Sequence, residues 1–326
     1  MIATSCRHGA GNAGNIAFSP GGRAALVRGA MFLRSLSRLL LCVPFVLALS
    51  SCGGEPDPAP GGGAYNRETP PAGNAPIPNL APPSVFAESA IVIDAATGHV
   101  LYAKNADQMR PVASTQKILT ALVALDAGPL SKPVTITSDD TRCEPTKLYL
   151  RPGETYTRAD LLKVLMVKSA NHVARALARD IGGSQEGFSA MMNRKAAQLG
   201  MRRSHFINPN GLPAEGQYST ARDIAIASRH AYRSSAIRSW VNTESYSFVF
   251  NNGRTLRLEN TNRLLKRVPY CNGMKTGTTN LAGRCLVSTG ELNGRAAIVV
   301  VLKSNSTHIW NDSERLLRWA LETPHR

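Results

Sequence analysis

The chain has 326 residues, 43% of them hydrophobic and 18% charged, with a formal net charge of +16. That is room for one large domain or two small ones with a real core. The basic residues are scattered, with no aromatic-rich basic stretch, which argues against a nucleic-acid partner and leaves an anionic wall or membrane face as the fitting surface.

Residues 1–52 hold five arginines and no acid, so residues 53–326 carry +11 of the excess. From Met31 the sequence reads MFLRSLSRLLLCVPFVLALSSC. Arg34 and Arg38 precede an apolar run from Leu39 to Leu49, which is too short to span a bilayer comfortably and reads as a secretory signal. Leu49-Ser50-Ser51-Cys52 resembles the bacterial lipobox, which implies lipidation of Cys52; an ordinary signal with an incidental cysteine is the alternative. Met31 then serves as the start, and residues 1–30 lie upstream of it. Residues 53–84 are dominated by Gly, Pro and Ala and read as a semi-extended tether. A folded domain is expected over 85–326.

Within that domain Ala90–Asp94 and His99–Ala103 flank a turn and predict a hairpin. Ser114–Leu125 has a helical apolar period. Thr157 to Asp160 forms a capping-box pattern for a helix ending at Val167. Helices are expected over Asn171–Ile181 and Gln185–Leu199, stopped by glycines, and from a second capping box at Thr220 to about Tyr232. Strand signals return at Tyr246–Phe250, Thr255–Leu258, Gly273–Thr276, Cys285–Thr289 and Ala296–Leu302, before a last helix over Asp312–Leu321. Strands, helices, strands and a final helix predict an α+β domain whose early and late strands share one antiparallel sheet with helices packed against it.

Three short motifs carry chemistry. In Ser114-Thr115-Gln116-Lys117 the serine and lysine share one helical face, with the serine at the helix N-terminus, where the dipole favours developing negative charge. A desolvated lysine has its pKa lowered enough to take the serine proton. Ser169-Ala170-Asn171 falls between two helices, where a hydroxyl can relay a proton and an amide can hold a substrate carbonyl. In Lys275-Thr276-Gly277 a lysine and a hydroxyl on a strand edge can bind a carboxylate while Gly277 leaves room for an extended peptide.

With IDAATGHVLYAKNAD, MMNRKAAQLGM, FINPNGL, NTNRLL and GMKTGTTNLAGRCLV, these motifs resemble the D-alanyl-D-alanine carboxypeptidases, low-molecular-weight penicillin-binding proteins, from about Ala90 to Leu321. The resemblance implies a β-lactamase/transpeptidase-like fold with a helical subdomain, and an enzyme of the periplasmic side acting on peptidoglycan stem peptides. Ser114 is then the nucleophile, Lys117 the base and Ser169 a proton relay. Asn171 positions substrate, Lys275 and Thr276 hold the terminal carboxylate, and the N–H groups of Ser114 and Thr278 form the oxyanion hole. β-Lactams would acylate Ser114. No cofactor is implied.

Some features depart from the family pattern. His172 follows Asn171 where many relatives carry Asp, and reads as a helix-face residue. Ile309-Trp310-Asn311-Asp312 lacks the arginine that assists the substrate carboxylate in some members, so anchoring is expected to rest on Lys275 and Thr276. The chain is also expected to lack the second β-domain and C-terminal amphipathic helix of some relatives, the N-terminal lipid replacing that anchor. The six cysteines spell no metal site, and Cys143, Cys271 and Cys285 remain after processing, as free thiols or with a disulfide. A D,D-endopeptidase shares the same residues and is the nearest alternative function. A class A β-lactamase lacks its deacylating acid here, and a non-catalytic wall-binding lipoprotein would not need all three motifs.

Overall fold

In the computed structural model, residues 81–143 and 145–324 are described. The signal, residues 1–30 and all but the end of the tether lie outside them. Chain order is β1 (Ser89–Asp94), β2 (Val100–Lys104), a 3-10 turn (Ala113–Gln116), α1 (Lys117–Asp126), β3 (Pro133–Thr135), α2 (Ser138–Thr141), β4 (Thr155–Thr157), α3 (Arg158–Val167), α4 (Asn171–Gly182) and α5 (Gln185–Leu199). There follow α6 (Ala221–Tyr232), α7 (Ser235–Val241), β5 (Ser245–Val249), β6 (Thr255–Glu259), a second 3-10 turn (Arg263–Lys266), β7 (Cys271–Thr279), β8 (Gly283–Leu292), β9 (Arg295–Ser304) and α8 (Ile309–Glu322).

β1, β2 and β7 to β9 form one antiparallel sheet in the order β2-β1-β9-β8-β7. The first hairpin thus inserts beside the last strands, as expected. Alternation divides the sheet's side chains between two cores. Ile298, Val300 and Leu302 of β9 join the larger core with α1 and α3 to α6, whereas Ala297, Val299 and Val301 face Leu316 and Leu317 of α8. Burying each such aliphatic side chain contributes about 1.5–3 kcal/mol.

The helix ends follow local chemistry. Thr157 accepts from the Asp160 N–H while Asp160 accepts from the Thr157 N–H, a complete capping box. At α6 only half of the expected box forms. Thr220 accepts from the Asp223 N–H, but the Asp223 carboxylate turns to the Arg203 N–H (2.8 Å) and the Ser204 hydroxyl (2.7 Å). Gly183 and Gly200 close α4 and α5 with φ of 74° and 82°, where a side chain would be strained. The small pairs β3–β4 and β5–β6 and the short α2 and α7 supply the remaining structure. Apart from β5 and β6, these short elements were not legible as separate units. Cys143, Cys271 and Cys285 are all buried; Cys285 lies opposite Gly277, and Cys271 opposite Gly290, so these two thiols do not face one another. Among the described residues no helix is long and apolar enough to cross a membrane.

Candidate active site

Ser114 sits in the 3-10 turn that runs directly into α1, and Lys117 is the first residue of the helix. The i to i+3 spacing places Lys117 Nζ 2.7 Å from Ser114 Oγ. Lys117 is fully buried and also donates to Asn171 Oδ1 (2.7 Å) and to the Asn210 carbonyl (2.6 Å). Burial first, then the charge of nearby Lys275, holds the Lys117 amine well below its ordinary range, with Cys143 acting in the opposite direction. A neutral amine satisfies this shell: two N–H groups go to the two carbonyl oxygens, and the lone pair is left for the serine proton.

The Asn210 carbonyl oxygen also lies 3.3 Å from Ser114 Oγ, a more distant alternative acceptor for the single hydroxyl proton. It belongs to the loop Asn208-Pro209-Asn210-Gly211, within the stretch FINPNGL, to which the sequence assigned no role. The loop is fastened to the nucleophile turn and to α1: Gln116 of the turn donates to the Asn208 carbonyl and Thr120 of α1 to the Pro209 carbonyl (2.7 Å). Gly211 has φ of 84°, and a Cβ there would stand 2.1 Å from the Ala113 carbonyl oxygen. The turn-forming composition of Asn-Pro-Asn-Gly was the available signal; its contact with Lys117, far away in the chain, was not.

A cleft of about 430 Å³ lies over this pair, with Ser114, Ser169, Thr276, Gly277 and Thr278 on its wall. Ser169 joins α3 to α4 with a left-handed φ of 66°, a sparsely populated conformation for a side-chain-bearing residue. Thr276 Oγ1 donates to Thr261 Oγ1 at 2.6 Å, and Thr278 Oγ1 to the Gly277 carbonyl at 2.8 Å.

Three of the named residues make contacts that their spacing in the sequence did not specify. Asn171 is not on the cleft wall: its Oδ1 takes the Lys117 amine and its Nδ2 donates to the Pro145 carbonyl at 2.9 Å, so both ends of the amide are engaged. Lys275 is also buried, with Nζ donating to the Thr276 carbonyl at 3.1 Å, and burial pushes its amine down to about 7. The space saved by Gly277 faces protein rather than substrate. A Cβ there would stand 2.9 Å from Ser114 N and 3.0 Å from Thr115 N and the Val112 carbonyl oxygen. The glycine is needed where β7 passes the nucleophile turn.

The neighbourhood of Trp310 differs from expectation too. No arginine precedes α8, yet Arg263 and Arg284 reach the same cleft from other elements, Arg263 with its guanidinium 5.5 Å from the Trp310 ring centroid. His172 is buried on α4, away from the cleft lining. Among the described residues no group of three or more His, Cys, Asp or Glu is placed to hold a metal.

A five-stranded antiparallel sheet carrying Lys-Thr-Gly on its edge strand, with Ser-x-x-Lys at the mouth of a buried helix, defines a protein of the transpeptidase-like, penicillin-recognising class. The D-alanyl-D-alanine carboxypeptidase family model matches residues 78–306, and the chain belongs to that family. It is 36% identical over 225 residues to the D-alanyl-D-alanine carboxypeptidase DacF of Bacillus subtilis (strain 168), covering 68% of this chain and 58% of that relative. It is 36% identical over 245 residues to the D-alanyl-D-alanine endopeptidase of Pseudomonas aeruginosa, covering 72% and 77%. The crystal structure of D-alanyl-D-alanine carboxypeptidase from Mycobacterium tuberculosis H37Rv superposes with a TM-score of 0.69 at 33% identity, covering 77% and 95%.

Proposed function

We propose that this chain is a serine D,D-carboxypeptidase that removes the terminal D-Ala from peptidoglycan stem pentapeptides through an acyl-enzyme on Ser114. The observation that carries the reading is the 2.7 Å contact between Ser114 Oγ and a fully buried Lys117 amine. The neutral amine takes the serine proton as Oγ attacks the D-Ala–D-Ala carbonyl. The N–H groups of Ser114 and Thr278 hold the oxyanion, usually the largest contribution to such catalysis. Ser169 passes the proton to the departing D-Ala nitrogen, and water then attacks the acyl-enzyme and frees Ser114. Thr276 meets the substrate carboxylate, backed by Lys275, whose charge also helps keep Lys117 neutral. Asn171 and the Asn210 carbonyl position Lys117. β-Lactams acylate the same serine.

The endopeptidase reading stands beside this one because a relative of equal identity bears that name. The test of the common chemistry is labelling by a fluorescent penicillin, which Ser114→Ala abolishes; a variant that still labels overturns the assignment.

We also infer an envelope address on the periplasmic side: residues 31–52 as a lipoprotein signal, Cys52 as the lipidated residue, 53–84 as the tether and 85–326 as the peptidase domain. The lipobox-like tetrapeptide after a short apolar run supports this. More than one acyl chain gives stable anchoring where one alone is marginal. Cys52→Ser then loses palmitate labelling, and equal labelling of both forms would show the cysteine to be incidental.

A further inference from the structure

Lys117 donates to two carbonyl oxygens, Asn171 Oδ1 and the backbone carbonyl of Asn210. Both asparagines are held from behind by one stretch of chain, the one that leaves α2. The Pro145 carbonyl accepts from Asn171 Nδ2 at 2.9 Å, and Cys143 Sγ accepts from Asn210 Nδ2 at 3.5 Å. The Thr146 carbonyl accepts from the Asn171 N–H at 3.1 Å, which ties the stretch to the start of α4. Upstream, Asp140 of α2 pairs with Arg179 of α4 at 2.9 Å.

Pro145 offers only an acceptor there, so the Asn171 amide is turned with its oxygen towards Lys117. Cys143 does the same for Asn210. Its sulfur takes Nδ2, while Oδ1 accepts from the Leu212 N–H at 3.0 Å. With both ends of this buried amide engaged, the Asn210 backbone is held where its carbonyl stands 2.6 Å from Lys117 Nζ. Sulfur is a weak acceptor, but a buried amide N–H left without one is costly. Among the described residues, the titratable groups that act on the Lys117 amine are Lys275 of β7 and Cys143, in opposite directions.

We infer that Cys143 is a positioning residue for Lys117: its sulfur fixes the Asn210 amide, and through it the backbone carbonyl that accepts from the amine. The role rests on the reading of the chain as a serine D,D-peptidase and deepens it. A carbonyl binds an ammonium more strongly than a neutral amine, so it favours the protonated form. Loosening that carbonyl makes Lys117 easier to deprotonate and less well placed.

The test follows acylation of the purified full chain by a fluorescent penicillin as a function of pH. Cys143→Ala and Cys143→Val both remove the acceptor, the first leaving a gap and the second filling it. Cys143→Ser keeps an acceptor. In the alanine and valine variants the plateau rate should fall about tenfold or more, and the midpoint of the rise with pH should move down by about half a unit or more. Cys143→Ser should recover most of both. Asn210→Ala should give the same changes, and adding Cys143→Ala to it should give nothing further, because the two act through one contact. Cys271→Val, a buried thiol in the other core, is the packing control and should leave the midpoint in place. A midpoint that stays put in Cys143→Ala and Cys143→Val overturns the role. So does a valine variant that behaves as the parent, or additive effects in the double variant. A parent chain that takes up no penicillin overturns the D,D-peptidase reading itself, whereas labelling with an unmoved midpoint overturns the positioning role alone.

Discussion

Gly277 of β7 and Ser114 of the nucleophile turn are in backbone contact, so close that a single added Cβ on Gly277 would stand 2.9 Å from Ser114 N. The edge strand and the helix mouth come from opposite ends of the domain, and this contact fixes one against the other. Gly277→Ala must push β7 away from Ser114. A misplacement of about 1 Å costs on the order of a hundredfold in rate. Acylation by a fluorescent penicillin, followed in time, should slow by about that factor while circular dichroism stays unchanged. A variant that acylates at the parent rate would show that the contact is dispensable.

The Asn210 carbonyl owes its place to Gly211. Gly211→Ala adds a Cβ 2.1 Å from the Ala113 oxygen at a φ of 84°. The expected result is a loss of about 1–3 kcal/mol in stability, read by urea unfolding, together with slower acylation because Lys117 loses an acceptor. Loss of stability with normal acylation would separate the loop from the chemistry.

Lys117 has to be neutral to accept the serine proton, and burial beside Lys275 lowers its pKa. Acylation should therefore rise with pH through that depressed value and level off above it. Lys117→Arg stays protonated throughout and should acylate at least about a hundredfold more slowly, the lower end of what a positioned base contributes. An arginine variant with the parent rate and pH profile would remove Lys117 from the base role.

Burial of Lys275 also has a stability consequence. Its amine titrates near 7 in the folded chain, against 10.5 for an exposed lysine. Between those values the unfolded chain binds the extra proton, so this group makes stability increase as pH rises from about 7 towards 10.5. Lys275→Met removes the buried ionisable group at similar volume. The variant should be at least as stable as the parent at pH 7, with a flatter stability profile above it and impaired turnover. Parallel profiles for the two proteins would contradict the shift.

The α3 capping box offers a control far from the chemistry. Thr157→Ala should cost about 1 kcal/mol in urea unfolding and leave the acylation rate unchanged. A larger loss of activity than of stability would indicate that α3 transmits strain to Ser169 at its far end.

Local chemistry made much of this protein legible in the sequence. The Thr157 box, the glycine stops at Gly183 and Gly200 and the period-two strands define their own elements, because caps and alternation act over only a few residues. Ser114 and Lys117 are neighbours by helical spacing alone. Tertiary structure decided what lies across the chain: the Asn210 carbonyl on Lys117, Asn171 turned inward, Gly277 against Ser114, Arg263 over Trp310, and Arg284 brought to the same cleft. Those contacts join residues far apart in sequence through packing, and nothing in a local pattern records which distant backbone or ring will fill the space beside a side chain.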